Sequence, residues 1–174
     1  MELSHISHVR LANQQISSAC FKTAREVVGW MGAMQAQDFS MAKWAVGLRL
    51  PGATINAIDD AFNQGEILRT HLLRPMWHLV ASDDIRWMLH LTAPRIKTSL
   101  RSRHRELELT ETIIIRSQSV IEKVLNVGGY LTREELVDEL TQAKISTDQN
   151  RASHLLMRAE LDGLICSGAS RDGK

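Results

Sequence analysis

Apolar residues recur along most of this chain at helical spacing, and one stretch breaks to a different period. Residues 6–16 place Ile6, Val9 and Leu11 or Ala12 near one face. Thr23–Met34 brings Val27, Val28, Met31 and Met34 round at three- and four-residue intervals, the spacing of an amphipathic helix. Ser40–Leu50 continues it with Met41, Trp44, Ala45 and Leu48. Pro51-Gly52 then ends that helix, because proline lacks the amide the next turn needs and glycine accepts a left-handed backbone. Thr54 is an N-cap whose hydroxyl satisfies an open amide, and the helix behind it carries Ile55, Ile58 and Phe62 inward as far as Gly65.

Glu66–Ala81 changes the pattern. Apolar and aromatic residues with polar ones interspersed flank a turn-like Arg74-Pro75, which predicts a β-hairpin. Ser82-Asp83-Asp84 caps a helix bearing Ile85, Met88 and Leu89, and Thr92-Ala93-Pro94 starts another with proline in its first turn. A long helix from about Glu111 to Asn126 is broken by Gly128-Gly129. Thr132-Arg133-Glu134-Glu135 is a capping box, in which hydroxyl and carboxylate reciprocally satisfy amides. Its helix runs to about Ala143, turns at Ser146-Thr147 and is followed by a helix over Asp148–Leu161 with Arg151, His154 and Arg158 on an outward face. Gly163–Ser167 reads as a short strand and residues 168–174 as a loop.

Helix followed by hairpin is the back half of a winged helix, and helix, turn, helix, strand, loop is the order of a second one through its wing. The expected fold is mainly α with small β-hairpins, built as tandem winged helix-turn-helix units. Residues 1–112 form the first unit with flanking helices. Residues 113–174 form the second, truncated in its wing, since the returning strand is not among them.

Composition narrows this little. Of 174 residues, 44% are hydrophobic and 24% charged, enough for a real core, and the net charge of +1 leaves any polyanionic partner to be argued from where charges lie. Cys20 and Cys166 are far apart and read as reduced thiols. No apolar run approaches the ~18 residues that span a bilayer, and the first residues lack a signal-peptide plan, which gives a cytoplasmic expectation without a membrane partner.

Three stretches carry a resemblance: Arg10-Leu11-Ala12-Asn13-Gln14-Gln15; Val28 through Gly29, Trp30 and Met31 to Gln35-Ala36-Gln37-Asp38; and Leu68-Arg69-Thr70-His71 through Arg74-Pro75-Met76-Trp77-His78 to Val80, with Asp83-Asp84. In this order they resemble the winged-helix DNA-binding family of the AlkZ/YcaQ type, over essentially the whole chain. The studied members are DNA glycosylases that unhook bulky alkyl adducts and interstrand crosslinks. The resemblance implies double-stranded DNA, alkylated or crosslinked, as partner. It implies Gln35 and Gln37 as the catalytic Gln-Φ-Gln motif, and no cofactor. Family members stack three winged helices and add a C-terminal β-rich region, of which this chain holds about one and a half units.

The residues suit that chemistry. A glycosylase places water against the sugar C1′ as the base leaves, and a purine alkylated at N7 is already cationic and leaves without much acid assistance. A glutamine oxygen can accept a hydrogen bond from that water, orienting it without titrating. Residues i and i+2 share a face only where the backbone is extended or turned, as the stretch Ala36–Phe39 between two helical patterns permits. Asp38 is an alternative carboxylate. The same three polar residues would equally solvate a helix end and cap the next helix.

The other candidates are basic. Arg86 to Arg105 contains no acidic residue and offers Arg95, Lys97, Arg101 and Arg103 as phosphate partners, or as a solvated face meeting Glu106, Glu108 and Glu111. Arg69 and Arg74 in the hairpin suit a groove or backbone contact, and so do Arg151 and Arg158 on the last helix. His78 is placed to touch a flipped nucleotide, although a backbone-satisfied histidine fits as well. The four tryptophans fall on apolar faces and read as core, with Trp77 the one suited to stacking. His5 and His8 have no further ligand nearby, so no metal is expected. A non-catalytic winged-helix DNA-binding protein, such as a regulator, is the competing function, and an inactive fragment the third.

Overall fold

The computed structural model describes residues 3–171, so the last three residues of the expected 168–174 loop lie outside it. In chain order the elements are α1 (Leu3–Asn13), α2 (Ala24–Met31), β1 (Ala33–Gln35), α3 (Phe39–Gly47), α4 (Ile55–Asn63), β2 (Ile67–His71), β3 (Trp77–Ala81), α5 (Ile85–Ser99), α6 (Arg101–Glu106), α7 (Glu111–Gly128), α8 (Arg133–Gln142) and α9 (Arg151–Leu161). None of the described helices is long and apolar enough to cross a membrane.

The helix starts follow the capping residues. Thr23, Thr54 and Thr110 each accept a hydrogen bond from the amide three residues on. At Thr132 the full reciprocal box forms, Glu135 N–H to the hydroxyl at 3.2 Å and Thr132 N–H to the Glu135 carboxylate at 2.7 Å.

The chain divides into two compact units. The first comprises residues up to Thr70, Met76–Ile85 and Ser167 onward; the second comprises His71–Pro75 and Arg86–Cys166. The first is built on Val27, Val28, Val46, Ile58, Ile67 and Leu79, all at most 2% exposed. The second is built on Ile114, Ile121, Leu140, Leu155 and Ala159. Burying each large aliphatic side chain of this kind contributes about 1.5–3 kcal/mol.

Four expectations are corrected. The helix predicted over Thr23–Met34 ends at Met31, because Gly32 adopts φ 74° and turns the chain into β1. That strand pairs antiparallel with β3, Ala33 opposite Val80 and Met34 opposite Leu79, in a sheet of order β1-β3-β2. The break predicted before Pro94 is missing: α5 runs through the proline. Interior proline costs about 3 kcal/mol, but Ala93, Ile96 and Leu100 form one apolar face buried with Leu161, and interrupting the helix would forfeit that packing.

The strand predicted at Gly163–Ser167 reduces to a single bridge from Ser167 to Arg69, whose carbonyl accepts the Ser167 amide at 2.9 Å. Finally, Trp30, Trp44 and Trp87 are more than half exposed. On α3 the core side belongs to Ala42 and Val46, four residues apart, which turns Met41, Trp44 and Leu48 outward.

Candidate active site

The short strand β1 does more than extend the sheet. Its alternation puts Met34 in the core, Gln35 outside, Ala36 in the core at 0% exposed and Gln37 outside again. The extended run continues past the strand because the Ala36 amide donates to the Trp77 carbonyl at 2.8 Å. Gln35 and Gln37 therefore point the same way from one ribbon of backbone. His78 is the residue opposite Gln35 across the ladder, so its side chain shares that face.

Arg69 fixes this ribbon from below. Its Nε donates to the Ala36 carbonyl at 2.9 Å and its guanidinium to the Gln37 carbonyl at 3.4 Å. The guanidinium also lies over two rings, 4.2 Å from the Trp77 centroid and 5.5 Å from that of Phe39. An arginine suits the task because it stays charged at any working pH and its planar fork can stack and donate together. Phe39 in turn packs on Phe62 of α4, centroids 4.9 Å apart, which ties the ribbon to the core of the first unit.

His78 is 4% exposed, and its Nδ1 lies 2.9 Å from the Met76 carbonyl. A carbonyl can only accept, so Nδ1 carries a proton and donates it there. Asp38 is committed elsewhere: its carboxylate accepts the Met41 amide at 3.0 Å and caps α3. The polar groups this face offers are thus side-chain amides, with no carboxylate among the motif residues left uncapped.

The family model for AlkZ-like DNA glycosylases matches residues 28–174. This chain belongs to that family. Its fold is similar to that of Streptomyces sahachiroi DNA glycosylase AlkZ, with a TM-score of 0.76 and 23% sequence identity over 93% of this chain. The same overlap is 45% of the solved chain, so the present chain spans less than half the length of that relative. No curated protein matches the sequence.

The remaining candidates divide by what they touch. Arg74, in the connection between β2 and β3, is exposed, as are Arg95 and Arg101. Lys97 is paired with Asp162, and Arg103 with Glu106 at 2.8 Å. The outward face expected of α9 is corrected: none of its residues is exposed, because α5 packs Ala93 and Ile96 against Leu161 and Met157 at its far end. Arg158 is 8% exposed and grips Glu111 with both terminal nitrogens, at 2.9 and 3.2 Å. That grip holds the Glu111 carboxyl below its ordinary pKa. Arg151 donates to the Ser146 and Leu107 carbonyls.

Three histidines of the second unit are held inside it, among them His154, which was expected on the outward face of the last helix. His71 Nδ1 lies 2.7 Å from Glu160. His104 and His154 meet edge to face, centroids 5.2 Å apart. Burial pushes both of these rings below the usual histidine pKa; the second ring and Arg158 reinforce this at His104, and Arg103 and His71 at His154. Among the described residues no group of three or more histidine, cysteine or acidic side chains is placed to hold a metal.

Within the site itself, sequence reasoning missed the supporting rings. It read Trp77 as core or as a stacking platform, without Arg69 as what stacks on it, and left Phe39 at the end of a connection. The signal for the ribbon they support was available: apolar and polar residues alternate from Met34 to Gln37, a period of two inside a stretch read as helix and linker.

Proposed function

We propose that this chain acts on double-stranded DNA as a monofunctional glycosylase, hydrolysing the N-glycosidic bond of purines alkylated at N7, with Gln35 and Gln37 as the residues that place the water. The observation that carries this reading is the pair of glutamines exposed on one face of an extended ribbon, with buried Ala36 between them locked by Arg69. Departure of an already cationic base needs little acid, and what remains is a water held at C1′ and a polar face toward the developing sugar cation. Two amide oxygens can accept hydrogen bonds from that water and present partial negative charge to the sugar, without a proton of their own to lose. His78, opposite Gln35 across the ladder, adds an imidazole to the same face.

The helix and hairpin of α4, β2 and β3 support a winged helix in the first part of the chain, and α7, α8 and α9 support a second helix-turn-helix. Along the sequence these are residues 1–112 and 113–174, with α5 and α6 as the flanking helices of the first. Arg74, Arg95 and Arg101 are the exposed cations suited to phosphates. Arg69, Lys97, Arg103, Arg151 and Arg158 spend much of their hydrogen bonding inside the protein and act mainly as positioning residues. A DNA substrate makes the cytoplasm the working compartment.

The test is release of N7-alkylated purine from duplex DNA by the 174-residue chain, wild type against Gln37→Ala. Release by wild type, reduced about 100-fold or more in the variant, is the expected result. No release above the spontaneous rate from wild type overturns the catalytic reading. The commitment of Asp38 to a helix cap favours one competitor, a non-catalytic binder. That reading requires equal affinity for damaged and undamaged duplex and indifference to Gln35→Ala and Gln37→Ala.

A further inference from the structure

The second unit contains a groove of about 670 Å³ that plays no part in the glutamine site, a volume in the range of small-ligand sites. One wall is a continuous helical stripe. Pro94, the pair Lys97 and Thr98, Arg101, and the pair His104 and Arg105 recur once per turn, so α5 and α6 present a single face. The other wall is Leu109, Thr110 and Glu111, the start of the 18-residue helix α7, with Arg158 of α9.

Charge in this groove is unbalanced in a specific way. Arg158 is held by Glu111 and lies 3.6 Å from Asp162, which also pairs with Lys97. Arg101 and Arg105 are exposed, and among the described residues neither meets an acidic partner. Glu108, the remaining carboxylate of the lining, has a side chain that is 87% exposed and lies 3.9 Å from Arg151.

The first turn of α7 adds open backbone donors. Thr110 caps the amide of Ile113, at 3.3 Å, but the amides of the first helical positions have no acceptor within the helix and lie at the positive end of its dipole. A buried ring sits in the stripe wall. His104 is 6% exposed, and its Nε2 meets no hydrogen-bond partner among the described residues. That nitrogen is closed off from the groove, so the His104 ring serves as a reporter packed in the wall and not as a ligand of what enters.

We propose that this groove binds a phosphate group, between Arg101 and Arg105 on one side and the first turn of α7 on the other. The proposal rests on the DNA reading only for the source of the phosphate, a backbone phosphodiester of the duplex in preference to a free phosphate ester. Two planar guanidiniums and an open helix start recognise phosphate oxygens by shape and charge, with no reference to the base.

The experiment is an NMR titration of the isotope-labelled 174-residue chain with three probes: inorganic phosphate, deoxyadenosine monophosphate, and a short undamaged duplex. The expected result is movement of the Thr110–Ile113 amide signals and of the His104 ring signals with the duplex. Affinity should fall about tenfold or more in R101A/R105A, and the slope of log affinity against log salt should become shallower by about two. Lys123→Ala removes one exposed charge elsewhere on α7 and should change neither the groove shifts nor more than a small part of the affinity. If R101A/R105A melts early, Thr98→Glu, which sets a carboxylate into the same wall, must produce the same loss.

The same signals moving with the monophosphate at lower concentration than with the duplex support the phosphate site and assign it to a free ester. Silence of these signals with all three probes overturns the proposal. Base release is scored separately: a chain that releases base while the groove stays silent loses only this inference, and a chain that binds phosphate here without releasing base loses only the glycosylase reading.

Discussion

The two compact units solve the burial of polar groups in different ways. In the first, arginines donate to backbone carbonyls and stack on rings: Arg69 to Ala36 and Gln37, and Arg49 to Gln14 and Ala45. In the second, ionisable groups also meet one another inside the unit: Arg158 grips Glu111, His71 lies against Glu160, and His104 touches His154 edge to face. A carbonyl does not titrate and a guanidinium stays protonated, so the glutamine ribbon keeps one geometry at any working pH. The second unit holds groups whose charge changes with pH and whose attraction weakens with salt. The contrast is one that experiment can separate: the proposed glutamine site on a scaffold insensitive to pH, and charge on one that responds to it.

The sharpest break of this comparison is Gln37→Ala. Base release should drop about 100-fold or more, while the urea midpoint stays where it was, since the exposed amide has no partner among the described residues. Loss of folding together with loss of release would mean that the glutamine is structural. Arg69→Ala is the complement and should lose both. It removes charged hydrogen bonds to two carbonyls and the contact with Trp77, a cost of about 2–3 kcal/mol in urea unfolding, and it lets the ribbon move. Arg69→Lys retains the charge without the fork and should recover only a minor part.

How far these roles were legible follows the kind of signal involved. The capping box at Thr132 and the cap at Thr54 are local chemistry, and the structure has both. The hairpin lies where its change of period placed it. The order of Gln35-Ala36-Gln37 and the Arg69 hairpin pointed to the family whose model matches the chain. What local pattern could not supply was competition at a distance. Strand β1 exists because β3 offers a partner 45 residues on, Leu79 opposite Met34. Helix α5 survives Pro94 because Leu161 packs on its face. For the same reason Arg158, spaced like an outward residue, turns inward: Glu111 waits 47 positions away in sequence. The tryptophans mislead because helical periodicity assigns a stripe without saying which of two adjacent stripes wins, and on α3 the smaller residues won.

Acid should act on the second unit. His104 and His154 have folded pKa values below the unfolded value of about 6.5, so between those limits the unfolded chain binds more protons than the folded one. Stability is therefore full above about pH 6.5 and falls as pH drops through that value. Glu111 and Asp162 add to this at lower pH. Arg158 lowers the first; at Asp162 burial pushes the carboxyl up, but hydrogen bonds from Lys97 and Gln118 outweigh it. Their contributions are present above the ordinary carboxylate range near 4 and are lost below it. Urea unfolding from pH 7.5 to 5 should show a loss that H104L/H154L flattens. A slope unchanged in that variant would remove the histidines from the account.

The smallest expected effect compares the two units through one shared device. Thr54 in the first and Thr132 in the second each cap a helix, but Thr54 makes the single bond to the Ala57 amide whereas Thr132 belongs to a reciprocal pair with Glu135. Thr→Ala at either position should cost about 1 kcal/mol in urea unfolding. The difference lies in what remains. After Thr132→Ala the Glu135 carboxylate still accepts the amide of residue 132 and stays at the positive end of α8, so part of the box persists. Thr54→Ala leaves no such remnant at α4, where the first turn carries no acidic residue. The loss at Thr132 should therefore be the smaller of the two and should grow to match the other only when Glu135→Ala is added. Equal losses in the single variants would mean that the carboxylate half of the box contributes nothing measurable, and that the helix starts of the two units are held by their hydroxyls alone.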